Sequence, residues 1–429
     1  MGEVNNRIEN YLNLVCSYIK NKDVHKEVSD EIREHIYEIY DEGIESGLSE
    51  NAAIDNAIKR MGDTYTLGNK LNKVHKAKPD YISFIGVIIL GIIGLITMYT
   101  IQSANIVSYN MLGKSLIATC IGIVIAIGLY QFDYRKLQKY SFHIYFASIV
   151  IIILAWSTSI QVNGAPSHMS TISLIVTIGF LVSLSGLINK LDLGKFKNIL
   201  LILFMGFIPF AVFILIPNLT LSIFYAIAFN CIFILSNIKL KYKKIYLLFQ
   251  ALVTIFTFVF YILPYSFRFY RVFPIFASAD LKGISSYTYV ESMKLIKAAG
   301  FLGKDISEFK SGLPEMHTDF AFPTMVYSLG WIITSIVLIV IAVFLVRNLK
   351  LVKKVKNNFG KSIVLSCTII LFLQFATAIL NALGLTNVLY TMPFISYGIG
   401  NLISNFIILG LLMSVYRRKS LRNLSEGII

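Results

Sequence analysis

Three side chains that can exchange protons lie within five positions of one another in the stretch SGLPEMHTDFAFP, residues 311–323. Glu315, His317 and Asp319 provide an acid, a base and a second acid. Such groups act as general acids and bases when their surroundings move their pKa toward neutrality. The stretch runs directly into a long apolar segment, where a carboxylate loses contact with water and its pKa rises. This makes it a candidate catalytic centre.

Asp319 is the strongest single candidate, because an ionisable residue at a membrane boundary is costly and is by default a functional candidate. Its alternative role is structural, since an Asp ahead of FAFPTMVYSLGW would be a good cap for the following helix. Glu315 would either pair with an arginine or a cation, or have no such role. His317 is either a proton relay or a residue of the membrane interface. The residues alone leave these alternatives open.

The composition indicates where this centre lies. The 429-residue chain is 56% hydrophobic and only 15% charged, fewer charges than soluble proteins usually have. Several apolar segments are each about long enough to cross a bilayer as a helix. They are residues 81–101, 115–131, 142–160, 169–189, 198–216, 219–237, 244–264, 322–346, 362–384 and 391–415. The sequence thus predicts an all-α, polytopic membrane protein with ten transmembrane helices.

Lys and Arg are concentrated in alternate loops between these segments. DYRKLQKY, NKLDLGKFKN, KLKYKK, RNLKLVKKVKNNFGK and the tail YRRKSLRN are basic, whereas the loops of the other set carry almost no Lys or Arg. Because basic loops stay in the cytoplasm, we expect a multi-pass protein of the cell membrane with both termini cytoplasmic. The net charge of +15 then faces anionic lipid, and no nucleic-acid partner is expected.

Two regions outside the apolar segments have their own organisation. Residues 1–78 show apolar positions at helical spacing among charged ones, with Ser49 as a plausible cap and Gly62 as a helix end. We expect a small cytoplasmic helical bundle there, ahead of a membrane domain at residues 79–429. Residues 265–321 form an outer loop between the seventh and eighth spans, and loops of that length are usually functional or disordered.

This long outer loop carries basic residues that suit a phosphate or pyrophosphate presented from the membrane surface. Arg268 and Arg271 are notable, because arginine on the outer side of a membrane boundary runs against the usual charge bias. A solvated loop charge without a role is the alternative for each. The segment VESMKLIKAAG is amphipathic at helical spacing, with Lys294 and Lys297 on its polar side, as in a helix resting at an interface.

Several of these stretches resemble the SEDS proteins (shape, elongation, division and sporulation), the family of RodA and FtsW. LPEMHTDF at 313–320 is similar to the family's loop motif LPExHTDFIF, and MPFISYGIGN at 392–401 is similar to its PFxSYGGS motif. LIKAAGFLGKD, DYRKLQKYSFHIY and VNGA are weaker likenesses. The resemblance covers about residues 80–416 and implies a ten-span domain with a large extracellular loop.

The resemblance also implies a function. SEDS enzymes are peptidoglycan glycosyltransferases that polymerise lipid II, an undecaprenyl-pyrophosphate-linked sugar, at the outer membrane face for cell shape, division or sporulation. Asp319 would be the catalytic base on the acceptor's 4-hydroxyl. Other residues would contact the substrate: Arg268, Arg271, Lys304, Glu315, His317, Ser396 and Tyr397. A divalent cation, Mg²⁺ or Mn²⁺, is expected to assist, without an organic cofactor, and a class B penicillin-binding protein is the expected partner.

Several family positions differ in this chain. The QPSExxK element is absent, PDxGT reads PNLTL with Asn218 in place of the acid, and the expected Glu-Glu pair is Tyr327-Ser328. NGA is followed by Pro166 instead of Arg-Trp. These changes keep two alternatives open, a non-catalytic scaffold and a transporter of lipid-linked precursors. Residues 1–78 resemble a small domain found ahead of membrane segments in Firmicute permeases and signalling proteins, which implies an interaction or regulatory module.

Overall fold

The computed structural model describes most of the chain. The described residues are 2–74, 79–107, 109–159, 161–162, 165–166, 169–216, 218–236, 238–257, 259, 283–308, 313–386 and 388–419. The chain divides into two compact units. The first unit consists of Met1–Pro79, Val355–Asn357 and Tyr416–Ile429, and the second consists of Asp80–Lys354 and Asn358–Val415.

Four helices form most of the first unit. They are α1 (Gly2–Ser17), α2 (His25–Glu45), α3 (Glu50–Met61) and α4 (Thr64–Val74), with a 3-10 helix at Lys22–Val24. Their apolar faces share one core, which includes Ile8, Val15 and Ile32. Ser49 accepts a hydrogen bond from the N–H three residues later and so caps α3, and Gly62 ends that helix with a φ of 88°. The expected cap and helix end are confirmed.

The second unit is also helical in its described part. Its helices are α5 (Tyr81–Ser103), α6 (Met111–Gln131), α7 (Arg135–Lys139), α8 (Ser141–Thr158), α9 (Met169–Lys190), α10 (Phe196–Leu215), α11 (Leu219–Leu235), α12 (Leu240–Thr257), α13 (Gly283–Ala298), α14 (Ala321–Lys354), α15 (Asn358–Ala382) and α16 (Ile399–Arg417). A 3-10 helix spans Ile306–Glu308. Strands β1 (Gln161–Val162) and β2 (Ala165–Pro166) pair antiparallel as a small hairpin.

Among the described residues, eight helices are long and apolar enough to cross a membrane: α5, α6, α8, α9, α10, α14, α15 and α16. α11 is apolar but has only 17 residues. α12 carries three lysines in its first five residues, LKYKK. The prediction of an all-α, polytopic membrane protein is confirmed, whereas the count of ten spans stays a prediction. Each of the ten predicted segments does overlap a helix.

The predicted start of the tenth span is wrong. The sequence indicates a span at 391–415, but α16 begins at Ile399. Phe394 has a φ of 64° and Gly398 has a φ of 150°, two conformations that an α-helix does not contain. Ser396, Tyr397 and Gly398, called the SYG motif here, are consequently part of a non-helical segment, residues 388–398, ahead of α16.

Small residues allow α8 and α9 to approach each other closely. A Cβ on Gly179 would lie 2.4 Å from Ser148 Oγ, and a Cβ on Gly186 would lie 2.0 Å from Ser141 Oγ. Close packing of this kind drives helix association in a bilayer, because lipid tails are as apolar as leucine side chains. α9 also packs against α10, α11 and α15, and most of its length is buried. It is a central helix of the second unit.

α14 is kinked at Gly330, where φ is 81°. Backbone hydrogen bonds of 2.9 and 3.1 Å tie residues 300–304 to residues 327–331 across this kink. A Cβ on Gly330 would lie 2.3 Å from the carbonyl oxygen of Phe301. Only glycine provides both the left-handed φ and the space. His317, Thr318 and Asp319 form the HTD motif of this chain. The hydrogen bonds across the kink therefore join the chain before the HTD motif to the helix that follows it.

Gly330→Ala should destabilise the second unit by about 1–3 kcal/mol, because alanine would be strained at this φ and its Cβ would meet the 300–304 backbone. The measurement is the thermal unfolding midpoint in detergent. Gly91→Ala is the matched control, since a Cβ on Gly91 in α5 meets no atom within 4 Å. Equal midpoints for the two variants would contradict the close packing described for the kink.

Candidate active site

The motif loop, residues 313–320, is a series of turns that leads directly into α14. Leu313, Met316 and Phe320 are buried together with Leu295 of α13 in one apolar cluster. Burying these side chains stabilises one conformation of the loop, because each withdraws apolar surface from water. The polar residues of the motif alternate with these anchors and are positioned by them.

Glu315 shapes the turn on which the motif is built. Its φ is 52°, a left-handed conformation that is uncommon for residues other than glycine. The N–H groups of Thr318 and Phe320 both donate to the Glu315 carbonyl oxygen, at 3.1 and 3.2 Å. The Thr318 hydroxyl donates to Glu315 Oε2 at 2.8 Å. Glu315 thus has a structural role in the loop in addition to its charge.

Asp319 is partly buried, one residue before the end of the loop. Burial raises its pKa to about 6, and the negative charge of Glu315 contributes in the same direction. No residue in the described part of the chain donates a hydrogen bond to this carboxylate. α14 begins at Ala321 without a side-chain cap from Asp319, so the capping alternative has no bond to support it. A carboxyl group of this pKa is mostly ionised at pH 7 and can accept a proton.

His317 connects the motif loop to two other segments. Its Nε2 is hydrogen-bonded to the Tyr109 hydroxyl at 2.8 Å, and its carbonyl oxygen accepts from the Tyr397 N–H at 2.8 Å. The His317 and Tyr397 rings lie 5.5 Å apart. Burial lowers the pKa of His317, although Glu315, 3.7 Å away, opposes this. A neutral imidazole that bonds to Tyr109 is consistent with positioning or proton transfer, and not with a permanent cation.

The SYG motif contacts the motif loop through Tyr397. Ser396 is buried, and its hydroxyl accepts from the Met392 N–H at 2.8 Å, so the side chain holds the turn of its own segment. Gly94 of α5 allows a close approach, since a Cβ there would lie 2.7 Å from the carbonyl oxygen of Phe394. The structure brings Tyr397 to His317, and the substrate contacts of Ser396 and Tyr397 stay predictions.

The predicted cationic residues are only partly described. Lys304 is exposed, and its backbone N–H donates to Tyr327 at the kink of α14. Arg268 and Arg271 lie outside the described residues. Within the described ranges, no group of three or more His, Cys, Asp or Glu is arranged to hold a metal ion. Mg²⁺ often binds through one or two carboxylates and the phosphates of a substrate, and Glu315 and Asp319 are carboxylates of that kind.

Sequence reasoning missed two tyrosines at this site, Tyr109 and Tyr390. Tyr390 is 8% exposed, and its hydroxyl has no hydrogen-bond partner in the described part of the chain. Burial raises the pKa of Tyr390, and the negative charge of Asp319 raises it further. Its ring packs 5.2 Å from that of Phe224. The charge of Asp319 thus acts on this buried hydroxyl, and nothing in the local sequence around Tyr390 indicates this.

Two positions that depart from the SEDS pattern have clear structural roles. Asn218 caps α11 by accepting a hydrogen bond from the Leu221 N–H at 3.2 Å, a bond that an Asp would also make. Tyr327 is buried in the apolar cluster that anchors the motif loop. The first change removes a charge and retains the cap. The second puts an aromatic ring where a carboxylate would be expected.

Comparison with known proteins agrees with these features. Residues 80–421 match the family model FTSW_RODA_SPOVE, described as cell cycle protein. The chain belongs to this family. The match spans nearly the whole second unit and includes both the HTD motif loop and the SYG segment, so the resemblance noted from the motifs is confirmed.

Individual members of the FtsW/RodA/SpoVE family are distant in sequence but similar in length. The chain is 22% identical over 375 residues to the probable peptidoglycan glycosyltransferase FtsW of Trichlorobacter lovleyi, covering 79% of this chain and 93% of that protein. A chain of a peptidoglycan synthase complex that coordinates polymerization and crosslinking is 17% identical, with a TM-score of 0.65, over 80% of this chain and 98% of that one. RodA of Thermus thermophilus is also 17% identical, with a TM-score of 0.56 over 81% of this chain and 99% of that one.

Glu315→Gln should lower the pKa of Asp319, because it removes the negative charge that helps to raise it and leaves an oxygen to accept from Thr318. The pKa can be followed by infrared titration of the protonated carboxyl band that Asp319→Asn abolishes. Glu308→Gln is the matched control, since Glu308 is an exposed acid of the 3-10 helix. An unchanged midpoint in Glu315→Gln would mean that burial alone sets this pKa.

Proposed function

We infer that this chain is a peptidoglycan glycosyltransferase, which polymerises lipid II into glycan strands at the outer face of the cytoplasmic membrane. The observation that supports this is Asp319, a partly buried carboxylate with a pKa of about 6 in the HTD loop of an FtsW/RodA/SpoVE family member. The curated relative from Trichlorobacter lovleyi carries the same activity in its name. The alternation of basic loops supports cytoplasmic termini and an outer position for the motif loop.

In the proposed reaction, Asp319 takes the proton of the acceptor sugar's 4-hydroxyl. The hydroxyl oxygen forms a bond to the anomeric carbon of the donor, and the bond from that carbon to the diphosphate oxygen breaks with inversion. Undecaprenyl diphosphate leaves with the electron pair. The pKa of Asp319 suits this step, because a base with a pKa close to the working pH is largely deprotonated and still accepts a proton readily.

The departing diphosphate requires positive charge nearby. Lys304, Arg268 and Arg271 are proposed for this role from the sequence, together with substrate contacts by Glu315 and His317. A divalent cation, Mg²⁺ or Mn²⁺, would supply further positive charge when bound by carboxylates and the substrate's own phosphates. A class B penicillin-binding protein is the proposed partner, and the similarity to a chain of a peptidoglycan synthase complex supports this.

Asp319→Asn should reduce polymerisation at least about 100-fold, because amide nitrogen and oxygen cannot take the hydroxyl proton. The assay supplies fluorescent lipid II and Mg²⁺ to the purified full-length chain and resolves the glycan products on a gel. Asp305→Asn is the control, as Asp305 is an exposed acid beside the 3-10 helix. Full activity in Asp319→Asn would remove Asp319 from the role of base.

The initial rate of polymerisation should rise with pH through about 6 and then level off. The sign follows from the raised pKa, since Asp319 is protonated and inactive as a base below this value and ionised above it. The measurement is the initial rate at lipid II concentrations well below KM, between pH 5 and pH 8, because this rate reports the pKa of the enzyme without substrate. A rate that is flat across pH 6 while chemistry is rate-limiting would show that another group accepts the proton.

A non-catalytic scaffold is the second candidate. Tyr327-Ser328 stands where the family pattern has two acids, and Tyr327 is buried in apolar packing. The assay of the wild-type chain separates the two functions. A product formed alone or with a class B penicillin-binding protein supports the enzyme, whereas no product in either case, from a folded sample, supports the scaffold.

A further inference from the structure

The connection between α5 and α6 lies against the candidate active site. Tyr109 lies at the end of this connection, hydrogen-bonded to His317 at 2.8 Å, and its ring is 5.8 Å from that of Tyr397. Three segments that are far apart in sequence therefore meet at one aromatic cluster. As a result, the first turn of α6 is held next to the motif loop.

Lys114 lies in that first turn of α6. Its ammonium nitrogen is 5.3 Å from the centre of the Tyr109 ring, and the side chain is exposed. Within the described residues, no carboxylate forms an ion pair with it. A cation–π contact at an exposed site is weak, so it restrains the side chain without neutralising its charge. The ammonium group remains able to bind an anion.

The position of Lys114 runs against the distribution of charge in this chain. The other short connections at the same end of the helices, residues 159–168, 216–218 and 383–398, contain no Lys or Arg. Membrane proteins keep basic residues away from that side. A lysine at this position therefore suggests a specific local role. Two carboxylates, Glu315 and Asp319, lie in the motif loop that Tyr109 contacts, and they make this region negatively charged. A phosphorylated substrate reaching this loop would be repelled without a nearby cation.

We propose that Lys114, restrained by Tyr109, binds the diphosphate of the polyprenyl-linked donor and stabilises its charge as it leaves. This rests on the proposed glycosyltransferase function, because the donor's diphosphate is bonded to the carbon that reacts. Lys114 donates hydrogen bonds to phosphate oxygens. The proton of the acceptor hydroxyl goes to Asp319, and the diphosphate leaves with the electron pair of the broken bond. His317 contributes through its hydrogen bond to Tyr109, which holds the connection between α5 and α6 beside the motif loop.

The test compares Lys114→Met, which keeps the apolar stem, with Lys114→Arg, which keeps the charge. Lys297→Met is the matched control, since Lys297 is an exposed lysine of α13 that has no role in the proposed site. The readouts are the KM for lipid II and the inhibition constant of undecaprenyl diphosphate. Both should rise about tenfold or more in Lys114→Met, as expected for loss of a charge-assisted hydrogen bond, and stay within about threefold of wild type in Lys114→Arg.

Unchanged constants in Lys114→Met would overturn the proposal, and so would an equal loss in Lys297→Met, which would indicate a general effect of surface charge. Inorganic pyrophosphate and vesicles with increasing phosphatidylglycerol are the comparison probes. If the effect of Lys114→Met follows the phosphatidylglycerol content and leaves inhibition by undecaprenyl diphosphate unchanged, Lys114 binds bilayer lipid and the proposal fails. Thermal unfolding midpoints of the variants should match that of the wild type.

Failure of this proposal and failure of the proposed function give different results. If the wild-type chain makes no polymer, direct binding of fluorescent undecaprenyl diphosphate to the wild type and Lys114→Met still tests the site. Equal affinities would then refute Lys114 as a ligand. If the wild type polymerises lipid II and Lys114→Met does so with unchanged KM and inhibition, only the role of Lys114 is refuted.

Discussion

The rest of the site depends on keeping one carboxylate, that of Asp319, partly withdrawn from water at the edge of a bilayer. Burial raises the pKa of Asp319 to about 6, and such a group would return to solvent if its loop were free to move. Leu313, Met316 and Phe320 prevent this, because exposing Asp319 fully would also expose their buried surface. The apolar residues of the motif are therefore as necessary to the chemistry as the polar ones.

The same constraint accounts for the backbone features around the loop. A short loop with three buried anchors requires a sharp turn, which Glu315 provides with its left-handed φ of 52°. The helix that follows must also be fixed relative to the preceding chain, and the hydrogen bonds between residues 300–304 and 327–331 do this. Those bonds need the two backbones to be closer than a Cβ permits, which is why Gly330 lies at the kink.

Local sequence patterns predicted the fold class and the position of most helices, because hydrophobic length and spacing determine both. They failed at α16, where Phe394 adopts a conformation that side-chain patterning does not reveal. The HTD motif identified Asp319. The residues that contact the HTD motif were not predictable from local patterns. Tyr109 is 208 residues away from His317 in the sequence, and Tyr390 is a single tyrosine that belongs to no recognisable motif. Lys114 could be noticed in the sequence, because the other short connections at its end of the helices contain no Lys or Arg. Its place beside the candidate site is visible only through its contact with Tyr109.

The departures from the family pattern have an electrostatic consequence. The pattern places two acids at positions 327 and 328, and here Tyr327 packs against the anchors of the motif loop while Asn218 keeps its helix cap without a charge. The absence of a carboxylate at position 327, beside the anchors of the motif loop, means less repulsion of a diphosphate. The attraction between a side-chain cation and the diphosphate is then offset by less fixed negative charge. Under that condition, one correctly placed lysine contributes a larger share of the charge that faces the leaving group than it would in a site rich in carboxylates.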